Sequence, residues 1–216
     1  MKKTLLFYII TLILCLSYGC QNTGKSVCHI KGTVSEKYNG KRIFLVPFND
    51  SRSVVVDSVV ITDGKFEFES DTVMLAKILL DYHFRMGTEP LLVIVEPGVV
   101  NVTIDSISSA GGTAQNDSLQ QWKERKMTNN SQMIQLTAEI KRLKEHGFQQ
   151  DAELLIHNKD SINLAFKNYT RQLAKNMGSG ILYDFLNPMY PKTYRRKMPD
   201  GTMITIDADT NEQIDK

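Results

Sequence analysis

Cysteine is scarce in this chain, and its cysteines form no redox or zinc-binding motif. The 216 residues include three cysteines, Cys15, Cys20 and Cys28, and no Cys-x-x-Cys occurs. Dithiol exchange and cysteine-based zinc sites each need at least two thiols that come together. The sequence therefore excludes thiol–disulfide chemistry by a Cys-x-x-Cys motif within these residues.

An excess of charge of one sign is lacking as well. The chain carries 26 basic and 24 acidic side chains, a formal net charge of +2. Proteins that bind nucleic acids use strongly basic surfaces to replace the counterions of the phosphates. We therefore expect no nucleic-acid partner.

A hydrophobic run long enough to span a bilayer is the third absence. The apolar stretch at residues 5–16, interrupted at Thr11, is shorter than the roughly 20 residues that a spanning helix needs. It follows Lys2 and Lys3 and has the size of a signal-peptide core, roughly 7–15 residues. The sequence thus predicts an export signal over residues 1–19.

The end of this signal resembles that of a bacterial lipoprotein, in which a cysteine is acylated and becomes the new N-terminus. Ser17 and Gly19 are small and precede Cys20, although Ser17 stands where leucine is usual and Tyr18 is bulky. Cys15 is the poorer candidate, because Leu14 precedes it. The resemblance implies lipidation at Cys20; cleavage by ordinary signal peptidase, or an uncleaved anchor, are the alternatives.

Lipidation at Cys20 has consequences for partners and location. Loss of Lys2 and Lys3 with the signal leaves 24 basic side chains, the same number as the acidic ones. Membrane attachment then comes from acyl chains, at about 0.8 kcal/mol for each buried CH₂, and not from charge. Cys28 is left without a partner; without lipidation, a Cys20–Cys28 disulfide becomes an alternative. We expect a location in the cell envelope facing the periplasm.

Residues 27–113 show the alternation of an antiparallel β domain. Asp63 and Gly64 are a strong hairpin signal, and apolar and acidic residues alternate after them at 65–69. Seven short apolar or alternating segments separated by turns predict a sandwich or barrel. They are 27–35, 42–48, 54–62, 65–69, 73–82, 91–95 and 99–104.

The composition changes after a predicted flexible junction at 110–113. Asn116, Asp117 and Ser118 are candidate helix N-caps, and Gly147 fits the end of a first helix. Apolar residues then recur at helical spacing and predict an antiparallel helical hairpin over 116–177. Further turns are expected at 181–186 and a last strand at 203–206 in the polar tail, whose end we expect to be loose.

These observations divide the chain and define an α+β fold class, with an antiparallel β-sandwich or barrel followed by a helical hairpin. The predicted segments are a signal (1–19), a tether (20–26), a β domain (27–113), a helical hairpin region (114–190) and a polar C-terminal tail (191–216).

The order of several motifs resembles an uncharacterised domain found ahead of thioredoxin-like modules in Gram-negative envelope lipoproteins. Those modules are of the alkyl hydroperoxide reductase/thiol-specific antioxidant type. The motifs are Cys20, 30–34, 57–58 with 63–66, 95–98, 112–113 with 116–117, and the helical pair. The resemblance covers roughly residues 20–190. It implies an accessory domain; no residues here match the redox motif, so the redox activity does not carry over.

No catalytic or metal-binding set is assembled by the spacing of the candidate residues. The histidines lack metal-ligand spacing, and Ser179 lies in a helix breaker rather than in a nucleophile elbow. Asp207, Asp209 and Asn211 begin an EF-hand-like spacing, but Glu212 replaces the required glycine. We therefore expect neither an enzyme nor a cofactor or metal. The histidines are His29, His83, His146 and His157.

Three further features each have a structural and a functional interpretation. The basic cluster 192–197 with its tyrosines is typical of a solvated or partner-facing patch, and binding of single strands is the weaker alternative. Trp122 is expected in the core between helix and sheet, or else as a partner anchor. Asp followed by Ser or Thr and an apolar residue is similar to an O-glycosylation sequon, and is also ordinary turn chemistry.

The sequence thus predicts an envelope-anchored lipoprotein that acts as a non-catalytic binding or accessory module. The expected partners are the membrane, through Cys20, and an envelope protein. The alternative is a remnant or partner subunit of a thioredoxin-like thiol–disulfide oxidoreductase system. Capture of surface glycans by the β domain is a third, less favoured hypothesis.

Overall fold

The structure, a computed structural model, describes residues 27–49, 57–80 and 90–214. The predicted signal, Cys20, the tether 20–26 and His83 lie outside the described residues. Among the helices within them, none combines the length and the apolar character that crossing a bilayer requires.

The predicted α+β class is confirmed. Two four-stranded sheets, of order β4-β1-β7-β8 and β3-β2-β5-β6, are followed by a helical pair and a small two-stranded sheet. The strands are β1 (Cys28–Val34), β2 (Arg42–Pro47), β3 (Asp57–Val60), β4 (Lys65–Ser70), β5 (Met74–Leu79), β6 (Leu91–Val95), β7 (Gly98–Ile104), β8 (Ser109–Gly111), β9 (Thr193–Lys197) and β10 (Met203–Asp207). The helices are α1 (Ala114–Glu145), α2 (Gln149–Met177) and α3 (Ile181–Leu186), with a 3₁₀ turn at Glu36–Tyr38.

The two four-stranded sheets pack face to face, as the alternating sequence predicts. One buried cluster contains side chains from both sheets, including Ile30 and Val100 from the first and Leu45, Ile78 and Val93 from the second. Antiparallel pairing dominates, but β1 and β7 pair in parallel from Cys28 opposite Gly98 to Val34 opposite Ile104. The β domain is therefore a sandwich in which one central pair of strands is parallel.

The tight turn predicted at Asp63 and Gly64 is confirmed by an antiparallel bridge between Thr62 and Lys65, but β3 and β4 beside it belong to different sheets. Asp63 and Gly64 have positive φ, 51° and 65°, which the primed hairpin turns require. Gly32 has a different role, because it lies opposite Phe66 in the β1–β4 register. The ring of Phe66 covers Gly32, and it is buried in the core.

Substitution of Gly32 by alanine should therefore be costly. An added Cβ would lie 1.9 Å from Cζ of Phe66, so the ring would have to leave its place in the core. We expect the free energy of unfolding to fall by about 1–3 kcal/mol, the usual cost of overpacking. Chemical denaturation measures this, with Lys31→Ala on the exposed face of the same strand as control; equal stability of both variants would contradict the packing.

The helical hairpin packs on the second sheet and creates a third layer. Ile94 on β6 faces the helices and lies in one cluster with Leu119 and Trp122 of α1, Phe166 of α2 and Leu186 of α3. Trp122 is thus part of the core between helix and sheet, as expected. Its Nε1–H donates to Oγ1 of Thr170 over 3.1 Å, which satisfies the buried indole.

The predictions were wrong at the junction between sheet and helix. The segment 110–113 was expected to be a flexible junction, but Ser109–Gly111 forms strand β8. The N-cap is Thr113, not Asn116, Asp117 or Ser118, because the helix already begins at Ala114. The side chains of Asn116 and Asp117 instead accept hydrogen bonds from backbone N–H groups at the sheet edges.

The polar tail contains a β-hairpin within residues 191–214, of which only one strand was predicted. Strand β10 agrees with the expected strand, and it pairs with β9, which was not predicted. Arg171 of α2 holds this hairpin: its guanidinium donates two hydrogen bonds to the carboxylate of Asp209, of 2.6 and 2.8 Å, and Nε donates to the Tyr190 carbonyl over 2.7 Å. Asp209 is therefore an ion-pair partner and not a member of a calcium loop.

Neutralising Asp209 should release the β9–β10 hairpin. The side-chain hydrogen bonds from Arg171 lower the pKa of Asp209 below 3.8. The ion pair thus stabilises the hairpin fully above the unfolded pKa, and this stabilisation is lost as pH falls through the lower folded value. We expect Asp209→Asn to increase proteolysis at 191–214 at neutral pH, whereas Glu212→Gln should not. Equal digestion of the two variants would contradict this role.

Candidate functional site

The motif residues 95–98 and 112–117 come together in one hydrogen-bond network at the start of α1. The Glu96 carboxylate accepts hydrogen bonds from the Thr113 hydroxyl and from Nε2 of Gln115, the latter over 2.6 Å. Oε1 of Gln115 accepts from the Leu182 N–H over 2.9 Å. The network joins the residue that follows β6 to α1 and α3, and its polar groups are engaged with one another. It therefore positions helices and offers no free group for chemistry.

A row of polar side chains on α1 closes the open side of the sandwich. Strands β6 and β8 are the edges of their sheets. The Gln120 amide accepts from the Ala110 N–H over 3.2 Å, and the Asp117 carboxylate accepts from the Gly112 N–H over 2.8 Å. An edge strand with bare backbone groups is prone to pair with other chains. Capping by α1 removes this liability on β8.

The same helix face caps β6 in two different ways. The Asn116 amide accepts from the Ile94 N–H over 2.9 Å and donates to the Ile94 carbonyl over 2.7 Å. It thus replaces the peptide group of a neighbouring strand. Further along α1, the Lys123 amine donates to the Leu92 carbonyl over 3.3 Å. The sequence marks Asn116 as a candidate helix N-cap, but its side chain caps the edge strand β6 instead.

Beyond Lys123 the face of α1 continues over an open groove, which we call the α1 groove. Its volume is about 1390 Å³. Met127 and Ile134 lie one heptad apart on α1 beyond Lys123, and they are 50% and 71% exposed. Ile107, in the turn between β7 and β8, is 64% exposed. Other lining residues include Tyr38, Leu92, Trp122, Phe185 and Met189.

The α1 groove contains three lysines with unusual surroundings. The amines of Lys37 and Lys126 each lie 4.9 Å from a ring centroid, of Tyr38 and Trp122 respectively. Burial lowers the pKa of Lys123 to about 8, and the neighbouring Glu124 carboxylate acts in the opposite direction. None of these lysines forms an ion pair within the described part of the chain.

The burial of Lys123 predicts a distinct dependence of stability on pH. Between about 8 and 10.5 the unfolded amine holds a proton that the folded amine has released, so the folded state gains stability as pH rises. We expect Lys123→Met to be more stable than the parent protein at pH 7, and this difference to shrink as pH approaches 10. Denaturant titrations across this range measure it; a constant difference would contradict the lowered pKa.

The other candidate residues do not converge. His29 lies on β1 with Nδ1 3.9 Å from the Glu69 carboxylate, His146 is the C-cap of α1, and His157 is exposed on α2. Within 27–49, 57–80 and 90–214, no group of three His, Cys, Asp or Glu side chains is placed to hold a metal ion. The basic residues of the 192–197 cluster lie mostly on the fully exposed strand β9.

Cys28 is unsuited to thiol chemistry where it lies. It is 2% exposed at the start of β1, and burial raises the pKa of its thiol. The reactive form of cysteine is the thiolate, which a raised pKa disfavours at neutral pH. Cys28 is therefore a core residue.

Comparisons with known proteins reach only the first part of this architecture. Residues 28–119 match a family described as a domain of unknown function, DUF4369. No match is found among curated proteins, and none among solved structures. The match supports the resemblance to an uncharacterised domain and does not extend to thioredoxin-like lipoproteins. The sandwich and the first turns of α1 are thus similar to this uncharacterised domain.

Proposed function

We propose that this chain is a non-catalytic accessory module of the cell envelope that binds a polypeptide partner in the α1 groove. The observation that carries the proposal is the groove itself. At about 1390 Å³ it is larger than the roughly 300–1,000 Å³ of typical small-molecule sites. Its exposed Ile107, Met127 and Ile134 offer an apolar surface of the kind that protein partners cover.

The direction of the chain supports an anchored module whose groove faces away from the membrane. Strand β1 begins at Cys28 beside Gly98, and its other end, at Thr33 and Val34, lines the groove. Seven residues of strand separate these ends by about 20 Å. Helix α1 runs in the same direction and, with 32 residues, is about 48 Å long. A lipid on Cys20 would therefore leave the groove and the helical hairpin accessible to the periplasm.

The anchor is tested by the intact mass of the native protein extracted from its envelope. We expect a mass that begins at acylated Cys20. A mass that corresponds to unmodified cysteine, or to a retained signal, would contradict the lipid anchor. The same measurement detects any sugar on the Asp-Ser and Asp-Thr sequences.

Partner binding is tested by affinity purification from envelope extracts with quantitative comparison of variants. Met127→Glu and Ile134→Glu place charge in the groove, whereas Leu154→Glu alters a side chain that is 67% exposed on α2, outside the groove. We expect both groove variants to lose the same partner and the control to retain it. Equal recovery with all three variants would exclude the groove as the binding site.

A second candidate is a partner subunit in a thioredoxin-like oxidoreductase system. The burial of Cys28 favours the role of a partner subunit over that of the subunit that exchanges disulfides, because this thiol is poorly placed for such exchange. A captured partner with a Cys-x-x-Cys motif would support this candidate, and a partner without one would count against it.

A further inference from the structure

The register of the second sheet identifies which backbone groups of β6 face the α1 groove. The Leu75 carbonyl accepts a hydrogen bond from the Phe48 N–H over 2.9 Å, so Leu75 is bonded on the β2 side of β5. Its partner in the register, Ile94, then points its peptide groups away from β5. The same orientation returns every second residue, at Leu92. The caps from Asn116 on Ile94 and from Lys123 on Leu92 agree with this.

The two caps differ in how well they replace a strand. The Asn116 amide both donates and accepts, as a peptide group does. The Lys123 ammonium has donors only, so it satisfies the Leu92 carbonyl and offers nothing to the Leu92 N–H. A lysine side chain is also longer than that of asparagine, so it can reach a backbone carbonyl across a wider gap. Leu92 and Lys123 both line the α1 groove.

We propose that the partner in the α1 groove is an extended acidic segment of another protein, which adds a strand to β6 at Leu92. This inference rests on the proposed function. The segment exchanges backbone hydrogen bonds with Leu92, while the Lys123 amine leaves the Leu92 carbonyl and binds a carboxylate of the segment. Strand addition of this kind obtains affinity from the main chain and specificity from alternate side chains.

Charge complementarity selects an acidic segment. Lys37, Lys123 and Lys126 lie along the groove without an ion pair among the described residues. The groove carboxylates already accept hydrogen bonds within the protein, Asp105 from the Ile107 N–H and Glu124 from the Gln120 amide, both over 2.8 Å. Carboxylates on the segment would meet amines that have no ion pair among the described residues, whereas a basic segment would add like charges. The alternate side chains of the segment would cover Met127 and Ile134.

The test uses fluorescence anisotropy of labelled ten-residue peptides with the purified full-length chain in detergent. One peptide alternates valine and glutamate, and a second alternates valine and lysine. Two further acidic peptides carry N-methyl groups on all valines or on all glutamates. Because N–H groups of alternate residues point to opposite sides of a strand, only one of these two sets can pair with β6.

We expect the acidic peptide to bind at least about tenfold tighter than the basic one, as matched charges across an interface require. One N-methylated set should lose binding and the other should keep it. Lys123→Glu and Lys123→Gln should both weaken binding, the first more, and Lys144→Glu on the exposed distal part of α1 should not. Cooperative unfolding transitions and far-ultraviolet circular dichroism spectra like that of the parent protein show that the variants remain folded.

Several results would overturn the inference. Equal affinity of the two N-methylated sets would exclude strand pairing, and equal binding of acidic and basic peptides would exclude the charge argument. If no peptide binds while the groove variants still lose a partner from envelope extracts, the strand inference fails and the proposed function stands. If the groove substitutions change neither peptide binding nor the recovery of a partner from extracts, both the strand inference and the proposed function fail.

Discussion

Replacement of Trp122 by alanine is expected to lower the free energy of unfolding by about 3–5 kcal/mol, the range for removing a large aromatic side chain from a core. Trp122 is 2% exposed and joins the sandwich to the hairpin. Its ring lies 5.6 Å from that of Phe185 and 6.4 Å from that of Phe166, between centroids. The change removes contacts to α2 and α3 at once, and it leaves the Thr170 hydroxyl without its indole donor.

Urea denaturation with far-ultraviolet circular dichroism measures this loss. Trp122→Phe keeps an aromatic ring and removes the hydrogen bond to Thr170, so it should cost less, about 1–3 kcal/mol. Phe148→Ala is the control, because Phe148 is 55% exposed at the tip of the hairpin. A Trp122→Ala variant as stable as the Phe148→Ala variant would show that the tryptophan does not join the layers.

Asn116→Asp is expected to be the most damaging isosteric change, with a loss of about 2–5 kcal/mol. The carboxylate would still accept from the Ile94 N–H. It could no longer donate to the Ile94 carbonyl or to Oγ1 of Thr113. Nδ2 of Asn116 donates to these two oxygens over 2.7 and 2.8 Å. A buried charge would then face a carbonyl oxygen on an edge strand that is itself buried.

Asn130→Asp is the matched control, because Asn130 is exposed on the same helix and the substitution is identical. Denaturation midpoints and hydrogen exchange at the Ile94 amide give the two readouts. We expect faster exchange at Ile94 only in Asn116→Asp. Unchanged exchange at Ile94 would mean that the Asn116 amide does not replace a neighbouring strand.

Patterning predicted the elements that bury one face. The alternation at 65–69 and the pair Asp63 and Gly64 were sufficient for β4 and its turn, and helical spacing was sufficient for α1 and α2. The reason is that a half-buried element must repeat apolar residues with its own period. These signals carry no information about pairing partners, so the parallel β1–β7 pair was not predicted.

The sequence did not predict the elements that single polar contacts stabilise, because those elements have no repeating apolar face. Strand β8 has three residues and β9 is exposed throughout, so neither has an apolar period. Asn116 is indistinguishable from a helix cap in the sequence, since both tasks use a short side-chain amide. The α1 groove depends on how α1 and β6 are placed relative to each other, which local sequence patterns do not encode.

Site-specific photocrosslinking in intact cells determines whether this protein contacts a polypeptide partner through the α1 groove. A photoreactive residue is placed at Met127 or Ile134 in the groove, and at Phe148 or Leu154 as equally exposed positions elsewhere on the hairpin. We expect one discrete adduct, with the same protein, from both groove positions and none from the controls. Adducts of equal yield at the control positions, or none from the groove, would contradict it.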